Sequence, residues 1–285
     1  MRYPIIDDLA GSFIIDRGRL LAANSAAAAD LFRPTDRTMF YEVVRVTRGI
    51  PLFWEDHLAR LRRSVQAPVV IPAGLYEECL NLIAANGLEA ANLRLVLLEN
   101  QTVIHLTPSN YPTSDLFAQG VVTGILNWER PNPNIKLIDV GYKAAIAARF
   151  AKPGPFGGYY ELLLADNDGY LTEGSRSNLF FIRGDQVLTA PDDRILEGIT
   201  RKHILAAVAL AGGVLRTEMF TVDVVRQGHC DAAFLSSSPF DMLPIRTIED
   251  LELNSAENPL FHRINAAYQD IVDQYIEEKL SLRRS

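Results

Sequence analysis

Four times in this chain a strand-like run meets a short turn signal and is followed at once by another strand-like run. "FYEVVRVTRGIPLF" (40–53) turns at Arg48–Gly49, and "NLRLVLLE" faces "TVIHLTP" across Asn100–Gln101. "YYELLLADNDGYLTEG" reverses at Asn167-Asp168-Gly169, and "NLFFI" passes through Gly184–Asp185 into "QVLTA". Turns this short join neighbouring strands as hairpins, so much of the fold must be sheet with antiparallel neighbours.

Helical periodicity fills the spaces between. "WEDHLARLRRSV" (54–65) puts Trp54, Leu58, Leu61 and Val65 on one face, which leaves Arg60 pointing to solvent. "GLYEECLNLIAANG" (74–87) closes at Asn86–Gly87, and "ITRKHILAAVALAGG" (199–213) stops at its glycine pair. Further helices are expected near 142–152, from Thr221, and from about Pro259. "SFIID" (12–16), "VVTGILNW", "NIKLIDV" and "AAFL" read as additional strands. Strands and helices mix without strict βα alternation, which predicts an α+β fold in two domains. "SNYPTSDLFAQG" (109–120) lacks periodicity and is the candidate linker. The expected division is an N-terminal domain over 1–112, a linker over 113–120 and a C-terminal domain over 121–285.

Composition excludes several functions. A net charge of −7, with basic clusters no longer than "RLRR" (60–63) and "LRRS" at the C-terminus, gives no nucleic-acid footprint and no attraction to anionic membrane. Two distant cysteines, Cys79 and Cys230, suit a reducing compartment, and five scattered histidines show no zinc spacing. "MRYPIIDDLAG" lacks a basic region leading into an apolar core, and no apolar run reaches membrane-spanning length. These features predict a soluble cytoplasmic protein without a metal.

"EGSRSNLF" (173–180) drops a carboxylate, two hydroxyls and an amide into strand material. Alone this is an ordinary loop between strands. Downstream, "LEGIT" sets Gly198 before a well-patterned helix, so the N–H groups of Ile199 and Thr200 form a candidate anion site, most suitably for a phosphate. Together the stretch from Glu173 to Arg201 reads E-x-S-x-x-N-L-F, six residues, V-x-T, six residues, L-x-G-I-x-R. This resembles the signature of the class IV (fold-type IV) aminotransferases, which bind pyridoxal 5′-phosphate (PLP). "FYEVVRVTRGIPLFWEDHLARL" is similar to the N-terminal domain of the same family.

The resemblance implies a two-domain fold-type IV enzyme, a small N-terminal α/β domain and a larger C-terminal mixed-sheet domain. Glu173 matches the partner of the pyridine nitrogen, with Ser177 and Asn178 beside it in the signature. Ile199 and Thr200 match the phosphate-binding helix start, and Arg60 matches the arginine that clamps the phosphate. In "LSSSP" (235–239), Ser237 and Ser238 stand where the family has a hydroxyl-rich turn. The family's Schiff-base lysine lies on a strand before a helix, which favours Lys136 in "NPNIKLID" over Lys143 in "GYKAAIAARF". Asp139 stands at the position of the family's Asn, and "KPGPFGG" (152–158) reads as an insertion that lengthens the path to Glu173.

The expected reaction moves an amino group between an amino acid, of branched-chain L- or D-type, and a 2-oxo acid. An aminodeoxychorismate lyase-type reaction is the alternative, and a non-catalytic binding protein ranks last because the lysine and the glutamate are both present. Tyr41 and Arg94 are candidate substrate contacts. Arg176 competes with Arg94 for a substrate carboxylate, and the sequence leaves that choice open. The D-type's Arg-x-His loop has no match after Arg94. The family implies a homodimer.

Overall fold

The computed structural model describes residues 2–65, 68–109, 111–136 and 139–284. They divide into two compact units. The first comprises Met1–Asn110, Ile135–Val140 and Val272–Ser285; the second comprises Tyr111–Asn134 and Gly141–Ile271.

The first unit contains β1 (Phe13–Asp16), β2 (Arg19–Ala22), β3 (Phe40–Thr47), β4 (Ile50–Pro51), α1 (Trp54–Ser64), α2 (Leu75–Asn86), β5 (Ala91–Leu98) and β6 (Gln101–Thr107). Its sheet runs β2-β1-β6-β5-β3-β4 with every pair antiparallel. The β3–β4 hairpin turns at Arg48 and Gly49, whose φ angles of 51° and 71° give the doubly left-handed turn that matches strand twist. The next hairpin turns one residue earlier than expected: Leu98 pairs with Gln101, and Asn100 takes the left-handed position at φ 58°. Asparagine tolerates that region, so it belongs inside the turn and Gln101 opens the strand. A β1–β2 hairpin, turning at Arg17–Gly18, is not expected from the sequence.

β3 alternates strictly, with Phe40, Glu42, Val44 and Val46 buried toward the face that α1 and α2 cover. The opposite face carries Val96, Leu98 and Val103, packed by Ile5, Leu31 and Met39 from the N-terminal segment. β5 therefore buries apolar residues on both sides, with Asn92 and Arg94 on the same face as Val96 and Leu98.

The second unit contains α3 (Ser114–Gln119), β7 (Val121–Asn127), α4 (Val140–Phe150), β8 (Glu161–Ala165), β9 (Tyr170–Gly174), β10 (Asn178–Arg183), β11 (Gln186–Thr189), α5 (Ile199–Leu210), β12 (Val214–Thr217), β13 (Phe220–Thr221), α6 (Val222–Arg226), β14 (Ala232–Ser237), β15 (Asp241–Ile248) and β16 (Leu251–Glu252). α7 (Pro259–Arg284) begins here, and its residues from Val272 belong to the first unit. The main sheet path is β12-β11-β10-β14-β15-β7-β8-β9-β13. One further pairing, Glu173 with Asn178, joins β9 to β10 and closes the path between them.

β7 and β8 are parallel, and α4 is their crossover. The connection after β7 carries Lys136, which belongs to the first unit. The strand expected over "NIKLIDV" is not formed at Ile135 and Lys136, which lie in irregular backbone; Leu137 and Ile138 fall outside the described residues. The stretch expected as a linker carries the six-residue helix α3, with Asn110 outside the described residues. Among the described residues no helix is long and apolar enough to cross a membrane.

Candidate active site

In the second unit, the strand–turn–strand of 173–178 is fixed from beneath and from one side. Glu173 is the penultimate residue of β9, with only 3% of its surface exposed. Its Oε1 accepts from Arg130 Nη1 at 3.1 Å, and its Oε2 accepts from the Leu196 N–H at 3.1 Å. Asn178, paired with Glu173 across the strands, donates from Nδ2 to the Leu196 carbonyl at 2.8 Å. A buried carboxylate is costly without such partners, so this one is placed and not incidental.

Glu161 on β8 lies beneath the turn and is fully buried. It accepts from Ser175 Oγ at 2.5 Å, Ser177 Oγ at 3.1 Å, Arg176 Nε at 3.3 Å and the Leu162 N–H at 2.9 Å. Gly174 leaves room for this arrangement: an added Cβ would lie 1.9 Å from Ser177 Oγ, so the serine hydroxyl would have to move off Glu161. Tyr142 on α4 donates from its hydroxyl to the Ser175 carbonyl at 2.8 Å, and the Arg130 guanidinium stands 5.9 Å from the Tyr142 ring.

Leu196 leads directly into α5. Gly198 is its N-cap, and a Cβ there would lie 2.0 Å from Asn178 Oδ1. Ile199 and Thr200 are buried in the first turn, and no side chain caps the helix. The first N–H groups of a helix have no partners within it, so this end offers donors to an anion. Ser236 on β14 pairs with Asn178, and its buried Oγ has no partner among the described residues. Ser237 Oγ donates to the Arg176 carbonyl at 2.8 Å, and Ser238 follows half-buried. Glu173, Ser177, Asn178, Ile199, Thr200 and Ser237 are thus linked through this one strand end and the loop before α5.

The first unit holds the other candidates. Lys136 is half-buried, with Nζ 5.1 Å from the Tyr41 ring centre; the Arg94 guanidinium stands 5.0 Å from the same ring. Arg94 is ion-paired to Asp7 and faces the fully buried His105 across β5 and β6. Lys143, by contrast, is exposed on α4 in the second unit.

Arg60 corrects the periodicity reading. It is 4% exposed, because α1 buries Trp54, His57, Arg60, Leu61 and Ser64 against β3. The inward Glu42 receives Arg60 Nε at 2.8 Å and Nη2 at 2.5 Å, and His57 Nδ1 lies 2.8 Å from its Oε2. Burial alone would raise the Glu42 carboxyl; the Arg60 charge and hydrogen bonds, with those of His57, overcome it and hold Glu42 well below the usual carboxylate range. Burial also lowers the His57 value, against the opposing pull of Glu42.

Arg130, Glu161 and Glu42 escape the sequence reading. "YYELLLA" does hold a signal, an acid inside an apolar run, and Glu42 alternates with apolar residues in the same way. Arg130 lies in an Asn- and Pro-rich loop without periodicity, and gives none.

The family model for amino-transferase class IV matches residues 39–248, well over half of the chain and including every residue of both clusters except Asp7. The chain belongs to the class IV aminotransferases. This family works with PLP, and the aminotransferase described here does so. Among curated relatives, the branched-chain-amino-acid aminotransferase of Escherichia coli K12 is 23% identical over 247 residues, 79% of each chain. Among solved structures, the branched-chain aminotransferase of Thermoproteus uzoniensis with norvaline gives a TM-score of 0.76 at 21% identity, covering 95% of this chain and 98% of that one. A putative branched-chain amino acid aminotransferase of Thermotoga maritima gives 0.74 at 20% identity, covering 91% and 95%. These likenesses establish the fold-type IV architecture.

The residues present fit the cofactor. A phosphate ester would call for N–H and hydroxyl donors, and the uncapped α5 terminus and the unpartnered Ser236 Oγ are of that kind. A pyridine ring carrying a proton would call for a buried anion, and Glu173 is one.

Proposed function

We propose that this aminotransferase moves the amino group of an apolar, branched-chain-type amino acid to a 2-oxo acid, with Lys136 as the reactive amine and Glu173 as the partner of the cofactor's ring nitrogen. The observation that carries this reading is the Glu173 carboxylate, buried and oriented by Arg130 and the Leu196 N–H at the entrance to α5. When bound, PLP supplies an electron sink for the charge left as the substrate's Cα proton departs.

The chain's own residues do the rest. Glu173 keeps a proton on the ring nitrogen, since a buried anion favours the cationic form beside it. The N–H groups of Ile199 and Thr200 would bind the phosphate at the positive end of α5, with Ser237 and Ser238 as further donors; a phosphate role for Arg60 rests on the family resemblance alone. Ser177 and Asn178 hold the Glu173 turn in register. Lys136 Nζ would take the proton from the substrate Cα and deliver it to the cofactor side of the C–N bond instead of back to Cα, so that the amino group stays behind when the 2-oxo acid leaves. Tyr41 and Arg94, grouped with Lys136, line the substrate side. Lys136 is favoured over Lys143 because it is half-buried beside Tyr41, the ring that Arg94 also approaches, whereas Lys143 is exposed. The reading extends to a homodimer and to the cytoplasm. The support for the dimer is α4, "VGYKAAIAARF", which is rich in apolar residues and fully buries none of them within the chain.

Glu173→Gln tests the central role. It should retain PLP while kcat falls on the order of 100-fold or more, because a neutral amide no longer stabilises the protonated ring. Near-wild-type turnover by Glu173→Gln would reject the assignment. Product analysis separates this reading from the lyase: a 2-oxo acid must accumulate from an aliphatic amino acid.

A further inference from the structure

Arg94 and Lys136 share one aromatic neighbour: the guanidinium and the amine stand 5.0 and 5.1 Å from the centre of the Tyr41 ring. The charge on Arg94 is answered by the N-terminal segment. Asp7 Oδ2 accepts from Arg94 Nη1; the Arg94 side chain is 14% exposed and that of Asp7 37%. The segment is tied down on both sides of Asp7, by the Ile5 N–H to the Leu31 carbonyl at 3.0 Å and the Ala10 N–H to the Leu106 carbonyl at 2.8 Å. Asp7 is thereby presented to Arg94 at high local concentration while keeping access to solvent.

The site is under-used for its donors. Arg94 Nε is buried without a partner among the described residues, and so are both ring nitrogens of His105, directly opposite on β6. A guanidinium is built for a carboxylate that takes two of its nitrogens together. Asp7 meets it at Nη1, which leaves Nε for another acceptor.

We propose that Asp7 is an internal stand-in for a second substrate carboxylate, a specificity residue that occupies Arg94 so that dicarboxylic substrates bind only by displacing it. Monocarboxylic apolar substrates make no demand on Arg94 and bind without that competition. The inference rests on Lys136 as the reactive amine, since that puts the reacting centre beside Tyr41, the ring that Arg94 also approaches.

The test uses the PLP-loaded enzyme and two unreactive mimics, glutarate and 4-methylvalerate, titrated calorimetrically. Asp7→Asn should bind glutarate about tenfold more tightly than wild type, a gain of about 1.4 kcal/mol, and Asp7→Ala should do the same. Affinity for 4-methylvalerate should stay within about twofold of wild type in both. Adding Arg94→Met to either variant should abolish the gain. Unchanged or weaker glutarate binding in both Asp7 variants, with melting temperatures showing them folded, would overturn the proposal and leave the ion pair a plain anchor of the segment. Because the readout is heat of binding, this outcome is separate from any failure of the Lys136 assignment, which is decided by where the cofactor attaches.

Discussion

His105 is fully buried, and burial, with the Arg94 charge beside it, pushes its pKa down to about 3. In the unfolded chain it returns to about 6.5. The folded value is the lower, so the unfolded state binds the proton first, and the stability this residue contributes at neutral pH is lost as pH falls below about 6.5. By pH 5 the loss from His105 is about 2 kcal/mol. His105→Leu should therefore flatten the fall in denaturation midpoint between pH 7 and pH 5, and an unaltered slope would contradict the burial argument. Glu42 acts in a separate window: its carboxyl is depressed, so its contribution is present above about 4.5 and declines only below that. Glu161→Ala should cost about 3 kcal/mol in chemical unfolding, because it strips the acceptor from two hydroxyls and a buried N–H. A loss below about 1 kcal/mol would mean that water replaces the carboxylate. The two acids show what a sequence hides. Their types and strand positions are legible, but their partners come from other elements, and helix periodicity sends Arg60 to solvent because it knows nothing of Glu42 on β3.

At the scale of elements, the sequence is most readable where one residue forces the backbone. The Arg48–Gly49 turn, the Gly87 end of α2 and the Gly198 start of α5 all stand where expected. Each depends on local chemistry: left-handed φ at the first two, and the close approach of Asn178 at the third. The hairpin at Asn100 is displaced by one residue because two neighbouring polar residues both suit a turn, and only the left-handed φ of Asn100 decides between them. Gly198→Ala tests whether the link between Asn178 and α5 serves the anion site. The added Cβ cannot share space with Asn178 Oδ1, so one of the two must move. PLP affinity, followed by absorbance, should weaken about tenfold or more through the phosphate contacts, while affinity for unphosphorylated pyridoxal should change less. Equal weakening of both ligands would place the damage at the ring and not at the helix end.

Across the whole molecule, the α+β class and the two-unit organisation follow from hairpins interleaved with isolated helices, and the sequence shows both. What it does not show is which distant stretches pack together. Ile135–Val140 and the last part of α7 join the first unit through tertiary contacts, and the closure of β9 on β10 rests on one pairing, Glu173 with Asn178. That pairing places the signature glutamate at a seam of the larger sheet, where its carboxylate is held by the loop entering α5. The most direct test of the functional account is borohydride reduction of the purified protein followed by peptide mapping. The cofactor should be found fixed to Lys136; attachment to Lys143, or a protein that carries no cofactor after incubation with PLP, would contradict it.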